Sequence, residues 1–399
     1  MIAEDLVVHF SGISDPRCAG KVEHLLIDVL VISVCATIAG AESWEDMALY
    51  GRSKVAWLGG FLELKGGIPS HDTFRRVFML IDPDEFARCF TNWASSLREG
   101  PDREVVAIDG KSLRRSFEPV RGRGPLHIVS AWASERGISL GQTQVSGKSN
   151  EITAIPGLLD ILSLEGSIVT LDAMGCQRSI AEKISERGAD YLIALKANQG
   201  SMFRAVQSYC EAACFSRGAT LRPACDSFDD SHGRLVRRRI FVCPDLRDDP
   251  TLKDWPGLKS VLAIETIRNI NGRPGTRTEI RYFLASYEAD PAKMTAAIRA
   301  HWAIENSLHW VLDVTFREDE CRLRDRTAAQ NFAMVRKIAI NLLKQEENTK
   351  ISLKARCVFR RIRPLIPKVS AHRFREHPPT PVRRFSEAYY LGVSGWYYW

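Results

Sequence analysis

Between Lys21 and about Ser96 the apolar positions recur three and four residues apart, with Leu25, Val29, Ile32, Ala36 and Ala39 forming one stripe, the spacing of a helix face. Ser43 stands before Trp44-Glu45-Asp46 and Ser70 before His71-Asp72-Thr73, so each serine predicts a helix N-cap, and Asp72 falls near the positive end of its helix dipole. Gly66-Gly67-Ile68-Pro69 breaks the chain between these helices. The longest apolar run, from Leu25 to Gly40, contains Asp28 and is shorter than the roughly 18 residues that suggest a membrane span. It predicts a buried helix inside a small all-α unit over residues 1–100.

At Glu104 the period changes. Val105-Val106-Ala107-Ile108, His127 to Trp132 and Ile138 to Val145 are apolar runs of strand length, with Gly137 turning between the second and third. A helical stretch from Glu151 to Leu162 leads to a fourth strand at Ser167 to Leu171, a helix at Ser179 to Arg187, and a fifth strand at Tyr191 to Leu195. Three strands, helix, strand, helix, strand is the order of a ribonuclease H-like fold. After a helix around Met202 to Cys214, β character returns at Arg237 to Val242, Ser260 to Arg268 and Thr278 to Ser286, with Asn271-Gly272 as a tight turn. That stretch reads as a β insertion at about 215–290. From Pro291 to about Lys344 the pattern is helical again, in two segments separated near Glu318 to Arg326. The expected architecture is therefore α/β: a small all-α domain over 1–100, a ribonuclease H-like catalytic domain with a β insertion over 101–347, and a basic Pro/Arg-rich tail over 348–399 that does not pack as a domain.

Composition alters this picture in two places. The net charge of +7 looks like a nucleic-acid signal, yet residues 350–399 carry eleven Lys and Arg against two acidic residues, so the basic excess belongs to the tail and the rest of the chain is slightly acidic. Ten cysteines occur without one C-x-x-C pair. The acidic start Met1-Ile2-Ala3-Glu4-Asp5 lacks the features of a secretory signal, so a cytoplasmic protein with free thiols and no membrane association is expected. Cys210, Cys214, Cys225, His232 and Cys243 could be argued as zinc ligands, but none of their spacings matches a zinc knuckle, and they read as core thiols.

The candidate chemistry lies at strand ends. Asp109 follows Val-Val-Ala-Ile and Asp172 follows Ile-Val-Thr-Leu. Singly, each is an ordinary turn aspartate. On neighbouring strands the two carboxylates would meet, and paired hard-oxygen ligands without nearby soft ones select Mg²⁺ or Mn²⁺. The third candidate is Glu305, in His301-Trp302-Ala303-Ile304-Glu305-Asn306-Ser307-Leu308-His309-Trp310. His301, Glu305 and His309 would share a helix face, a conceivable zinc face that lacks the H-E-x-x-H spacing. The flanking tryptophans, with Trp302, Leu308 and Leu312 placed toward the core, predict that this segment is mostly buried. Lys111, Arg114, Lys148, Lys196 and Arg299 are candidate phosphate ligands, and Asn198-Gln199 reads as a cap of the helix opening near Ser201.

Six strings in order, Ile-Pro-Ser-His-Asp-Thr-Phe-Arg-Arg (68–76), Ile-Asp-Gly-Lys-Ser-Leu-Arg (108–114), Lys-Ser-Asn-Glu-Ile (148–152), Leu-Asp-Ala-Met-Gly-Cys-Gln (171–177), Asp-Tyr-Leu-Ile-Ala-Leu-Lys-Ala-Asn-Gln (190–199) and His301 to Phe316, resemble the bacterial insertion-sequence DDE transposases of the ISAs type, the H-repeat-associated proteins. The resemblance covers about residues 10–355. It implies a ribonuclease H-like domain whose acidic triad is Asp109, Asp172 and Glu305, two-metal phosphoryl transfer at DNA with Mg²⁺ or Mn²⁺, and a homodimer that holds element ends and target DNA in a synaptic complex. Relatives in the broader group carry Tyr, Arg and Lys seven before, four before and seven after the glutamate, where this chain has Ile298, His301 and Leu312; either His301 or Arg299 takes the Arg role toward phosphate. The helix from Ser70, with Arg75 and Arg76, is the expected reader of DNA ends. A ribonuclease H-like nuclease without joining activity and an inactive DNA-binding remnant are the competing readings. The change of composition near Cys357 is what a shift of reading frame would produce, the rival being a selected basic arm.

Overall fold

The computed structural model describes residues 2–98, 104–118, 122–146, 150–231, 234–270, 276–288, 290–346 and 351–362, all within one compact unit, Ile2–Pro364. Residues 363–399, most of the predicted tail, and the Asn271-Gly272 turn lie outside the described residues.

The helical stripe and caps form as the sequence predicts. α1 (Ile2–Phe10), α2 (Leu26–Ile38), α3 (Trp44–Ser53), α4 (Val55–Leu58), α5 (His71–Leu80) and α6 (Pro83–Ser96) precede the first strand. Ser43 and Asp46 make a capping box on α3, and the Ser70 hydroxyl accepts from the Thr73 N–H. These helices pack on elements far away in the chain: α2, α5 and α6 lie against α12 (Arg326–Lys344), and α6 lies against β3. Asn331 of α12 donates to the carbonyls of Phe78 and Ile81, both at 3.0 Å, which satisfies two buried backbone acceptors at the end of α5. α13 (Leu353–Ile362) follows, and Arg356 donates to the Leu343 and Glu346 carbonyls at the end of α12.

The strands build one nine-stranded sheet in the order β3-β2-β1-β4-β5-β9-β8-β7-β6. β1 (Val105–Leu113), β2 (Leu126–Ala133) and β3 (Ile138–Gln144) form an antiparallel meander in which Gly137 takes φ 67°. After α7 (Glu151–Ile161), β4 (Ile168–Leu171) pairs parallel with β1; after α8 (Arg178–Glu186), β5 (Asp190–Leu195) pairs parallel with β4. The inserted strands continue the same sheet. α9 (Gly200–Cys210) leads to β6 (Cys225–Ser231), β7 (Arg234–Val242), β8 (Ser260–Ile270) and β9 (Thr276–Ala285), and β9 joins β5 antiparallel.

Alternation along the strands divides the core between two faces. Val106, Ile108, Val169, Leu171 and Ile193 pack under α7, α8 and α9, whereas Val105, Ile168, Leu192, Ile240 and Phe283 pack under α10 (Pro291–Ile304). Leu113, Leu126 and Ile128 meet Ala329 and Ala333 of α12 on that second face. β1 is longer than the apolar run suggests, because antiparallel pairing with β2 continues to Leu113 after the parallel pairing with β4 ends at Ile108. Asp109 thus stands inside a strand, at the point where its β4 neighbour runs out.

Candidate active site

Register decides where the two aspartates meet. Ile108 pairs with Leu171, the last pair of the parallel seam, so Asp109 and Asp172 occupy the next positions on strands about 4.8 Å apart. Period two sends both side chains toward α10: Val105, Asp109 and Lys111 share a face, as do Ile168, Thr170 and Asp172. Asp172 is aimed by the chain after β4, its Oδ1 accepting from the N–H groups of Met174 (2.8 Å) and Gly175 (3.3 Å). Asn198 and Gln199 brace that turn by donating to the carbonyls of Ala173 (2.7 Å) and Cys176 (2.6 Å). Neither side chain caps α9, so the cap expected of them is replaced by a clamp on the Asp172 loop.

The third carboxylate comes from the helix above. At Glu305 the backbone of α10 passes into a π-helical turn, Glu305–His309, before α11 (Trp310–Val314); π turns recur at functional sites. Burial, with the charges of Glu151, Asp172 and Glu305 nearby, pushes the Asp109 carboxyl up to about 7. His309 brings Nδ1 to 3.6 Å from Asp109 Oδ2. Burial first, then Lys337 and Lys111, pull His309 down to about 4, so at neutral pH this contact is not an ion pair. His301 points at β4, its Nδ1 3.0 Å from the Thr170 hydroxyl, and burial holds it below the usual histidine value against the opposing pull of Asp172. The two histidines therefore serve different strands and do not form a zinc face with Glu305.

The tryptophans correct one expectation. Trp302 and Trp310 are exposed, 41% and 56%, and Glu305 is exposed with them, whereas Ile304, Leu308, Val311 and Leu312 are buried. Trp302 is covered on one side by the Arg281 guanidinium, 5.0 Å from the ring centroid, an arrangement stable at a wet surface. Together they border a groove of about 350 Å³ between α10 and β7–β9 that also presents Arg238, Arg268 and Arg299.

Two site residues escape the sequence reading. Glu151, the first residue of α7, accepts from or shares a proton with His127, Oε1 to Nε2 2.6 Å, and the Ser112 hydroxyl lies 2.8 Å from Nδ1 of the same ring. Both groups sit against Gly110: a Cβ there would be 2.1 Å from Glu151 Oε1 and 2.5 Å from His127 Nε2. The glycine after Asp109 is thus required by close approach and admits Glu151 on the α7 side of β1, from where its charge reaches Asp109.

The candidate phosphate ligands divide. Lys111 is drawn inward, its Nζ at 2.7 Å from Asp313, 3.0 Å from Asp319 and 3.2 Å from Glu318. Arg114 is largely exposed with one contact to Asp319 at 3.1 Å. Lys196 and Arg299 are exposed, and Lys196 is near enough for its charge to act on His301. Arg75 and Arg76 lie on the exposed side of α5, opposite Phe74, Val77 and Phe78, with Arg75 3.4 Å from Asp72. Lys148 lies outside the described residues.

Residues 100–342 match the family described as Transposase DDE domain, and residues 7–94 match its associated N-terminal family, DDE_Tnp_1-associated. The chain belongs to the DDE-domain transposases. It is 41% identical over 361 residues to the protein named "H repeat-associated putative transposase YhhI" of Escherichia coli strain K12, covering 89% of this chain and 94% of that one. It is 40% identical, over 89% of this chain and 91% of the other, to the "Putative transposase YncI" of Escherichia coli O157:H7. A piggyBac transposase in a synaptic complex with hairpin DNA aligns over 97% of this chain and 84% of its own at 13% identity and a TM-score of 0.41; the family assignment rests on the sequence matches. A DDE transposase is a DNA-acting enzyme that depends on divalent metal. Among the described residues no helix is long and apolar enough to cross a membrane.

Proposed function

We propose that this transposase cleaves DNA at the ends of an insertion sequence and joins the freed 3′-hydroxyl to target DNA, with Asp109, Asp172 and Glu305 as its acidic triad. The observation that carries the reading is the β1–β4 register, which ends at Ile108 and Leu171 and so sets Asp109 and Asp172 at the next positions on adjacent strands, with the charge of Glu305 also reaching Asp109. Repelling anions in a partly buried site are what a divalent cation relieves, and an all-carboxylate donor set suits Mg²⁺ or Mn²⁺. The three residues would hold the metal. Bound there, it supplies a strong oxygen nucleophile at neutral pH and charge stabilisation at the leaving 3′ oxygen.

The chain's own groups do the positioning. The N–H groups of Met174 and Gly175 fix Asp172, the Asn198-Gln199 clamp fixes the turn that carries them, and Gly110 gives Glu151 and His127 room against β1. Arg114, Lys196 and Arg299, with His301 beside β4, hold phosphates near the triad; Lys148 belongs to the same proposal on sequence grounds. Lys111 acts through the carboxylates it binds. Arg75 and Arg76 on α5 read element ends as part of the helical domain, residues 1–100. Water attacks first and frees a 3′-hydroxyl, which then attacks target DNA in the same site.

The order β3-β2-β1-β4-β5, with β2 antiparallel and β4 and β5 parallel to β1, supports a ribonuclease H-like catalytic domain over 101–347. Cutting two ends favours a homodimer in a synaptic complex, acting in the cytoplasm. The test is product analysis: full chain, Mg²⁺, a linear DNA with matched inverted ends and a supercoiled target. Joined products support the proposal. Hydrolysed ends without joining would make the protein a nuclease, and end binding with neither product would make it an inactive remnant.

A further inference from the structure

Far from the acidic site, three thiols converge. Cys210 ends α9, Cys214 lies four residues on within a π-helical turn, Glu211–Phe215, and Cys243 follows β7. Their sulfur atoms all lie within 4.8 Å of one another, and Cys210 Sγ is 3.5 Å from Cys243 Sγ. All three are buried, at 0%, 6% and 0% exposure. Among the described residues they are the one group of three or more His, Cys, Asp or Glu ligand atoms gathered so closely. Cys225 packs on the opposite face of the sheet, and His232 lies outside the described residues.

We infer that Cys210, Cys214 and Cys243 form a site for a thiophilic divalent cation of the Zn²⁺ class, separate from the acidic triad. A tetrahedral centre with Zn–S bonds of about 2.3 Å sets its sulfurs about 3.8 Å apart, between the 3.5 Å Cys210–Cys243 separation and the 4.8 Å limit. Three thiolates are soft ligands that favour Zn²⁺ over Mg²⁺ or Mn²⁺, so the two sites sort metals by donor chemistry. Buried thiols also serve as small apolar filler, but filler does not require sulfurs from two separate stretches of chain to face one point across a helix deformed at that place. The three sulfurs leave one tetrahedral position, which solvent would fill. Loading the site loses the thiol protons to solvent and forms metal–sulfur bonds, with no change of oxidation state.

The position gives the site a consequence. α9 follows β5 of the catalytic strands, and the N–H of Cys243 donates to the Val261 carbonyl of β8. A metal would tie the inserted strands to the helix that leaves β5, on the face of the sheet opposite the arginine groove. Full-length protein purified under reducing conditions without chelator is expected to carry one zinc per chain, a count that Asp109→Asn with Asp172→Asn leaves unchanged and that Cys214→Ser or Cys243→Ser abolishes. Because serine in this core can unfold the chain, the deciding measurement uses wild type. After chelation and reduction, Co²⁺ should give thiolate charge-transfer absorption that saturates at one equivalent and is displaced by Zn²⁺, and Zn²⁺ should raise Tm. Absence of that absorption in folded wild type, zinc binding retained by folded serine variants, or a Cys210–Cys243 disulfide that no reductant converts to a metal-binding form would overturn the inference.

Discussion

Lys111→Met should destabilise the fold more than it weakens DNA binding. The lysine sits on β1 two residues after Asp109 with 11% of its side chain exposed, facing Glu318 at 1%, Asp319 at 21% and Asp313 at 32%. Methionine preserves much of the apolar stem while deleting the charge. Breaking a buried pair from one side costs about 3–5 kcal/mol; here Arg336 stays 3.6 Å from Glu318 and water can reach the two aspartates, which places the loss near the lower end, about 3 kcal/mol. Urea unfolding at constant m-value measures it. Burial would raise the Glu318 carboxyl, but Lys111, Lys337 and Arg336 together hold it below its ordinary value. A depressed carboxylate contributes stability that is full above its unfolded pKa, about 4.3, and is lost as pH falls through the folded value. The penalty of Lys111→Met is therefore greatest at neutral pH and shrinks in acid, and Glu318→Gln in the same chain should recover part of it. A loss within about 1 kcal/mol, joined to a shallower salt dependence of end binding, would instead make Lys111 a phosphate ligand.

Gly110→Ala forces Glu151 or His127 away from β1 and should cost about 1–3 kcal/mol as well as cleavage rate; a variant with wild-type Tm and rate would show that the approach of Glu151 does not matter. Arg299→Ala should reduce the slope of log affinity against log salt by about 0.9 for DNA that occupies the groove beside Trp302, whereas an unchanged slope would remove Arg299 from the DNA path. Deleting residues 363–399, which carry six Lys and Arg against two Glu, should weaken non-specific, salt-sensitive DNA binding and leave metal-dependent end cleavage in place; loss of cleavage in folded truncated protein would make the tail part of the enzyme.

Elements held by local rules were legible in the sequence. Ser43 and Ser70 announce their helices because a cap bonds three residues ahead, and Asp109 and Asp172 stand out because each interrupts an apolar strand at the same depth. β6 was not legible: Cys-Asp-Ser-Phe-Asp-Asp-Ser has no apolar alternation, and the strand is held through cross-strand pairs, Asp226 with Arg237 and Asp229 with Arg238. The continuity of the inserted strands with the catalytic sheet rests on β5–β9 pairing across about eighty residues of chain. Glu151 lies in the Lys148–Ile152 segment yet shows no role from sequence, because its approach to β1 depends on the Cβ that Gly110 lacks. Trp302 and Trp310 read as core from composition, yet both are exposed, Trp302 at the groove beside Arg281. The three thiols resist any spacing rule since Cys243 arrives through a strand pair and not along the helix that bears the other two.

The most direct test is whether Asp109, Asp172 and Glu305 act as one metal-dependent centre. Asp109→Asn, Asp172→Asn and Glu305→Gln, each assayed for end binding and for Mg²⁺-dependent end cleavage, should bind ends near the wild-type level while cleavage falls by at least about a hundredfold, the scale of losing one charge-stabilising group. A folded variant among the three that cleaves at a near-normal rate would contradict the triad.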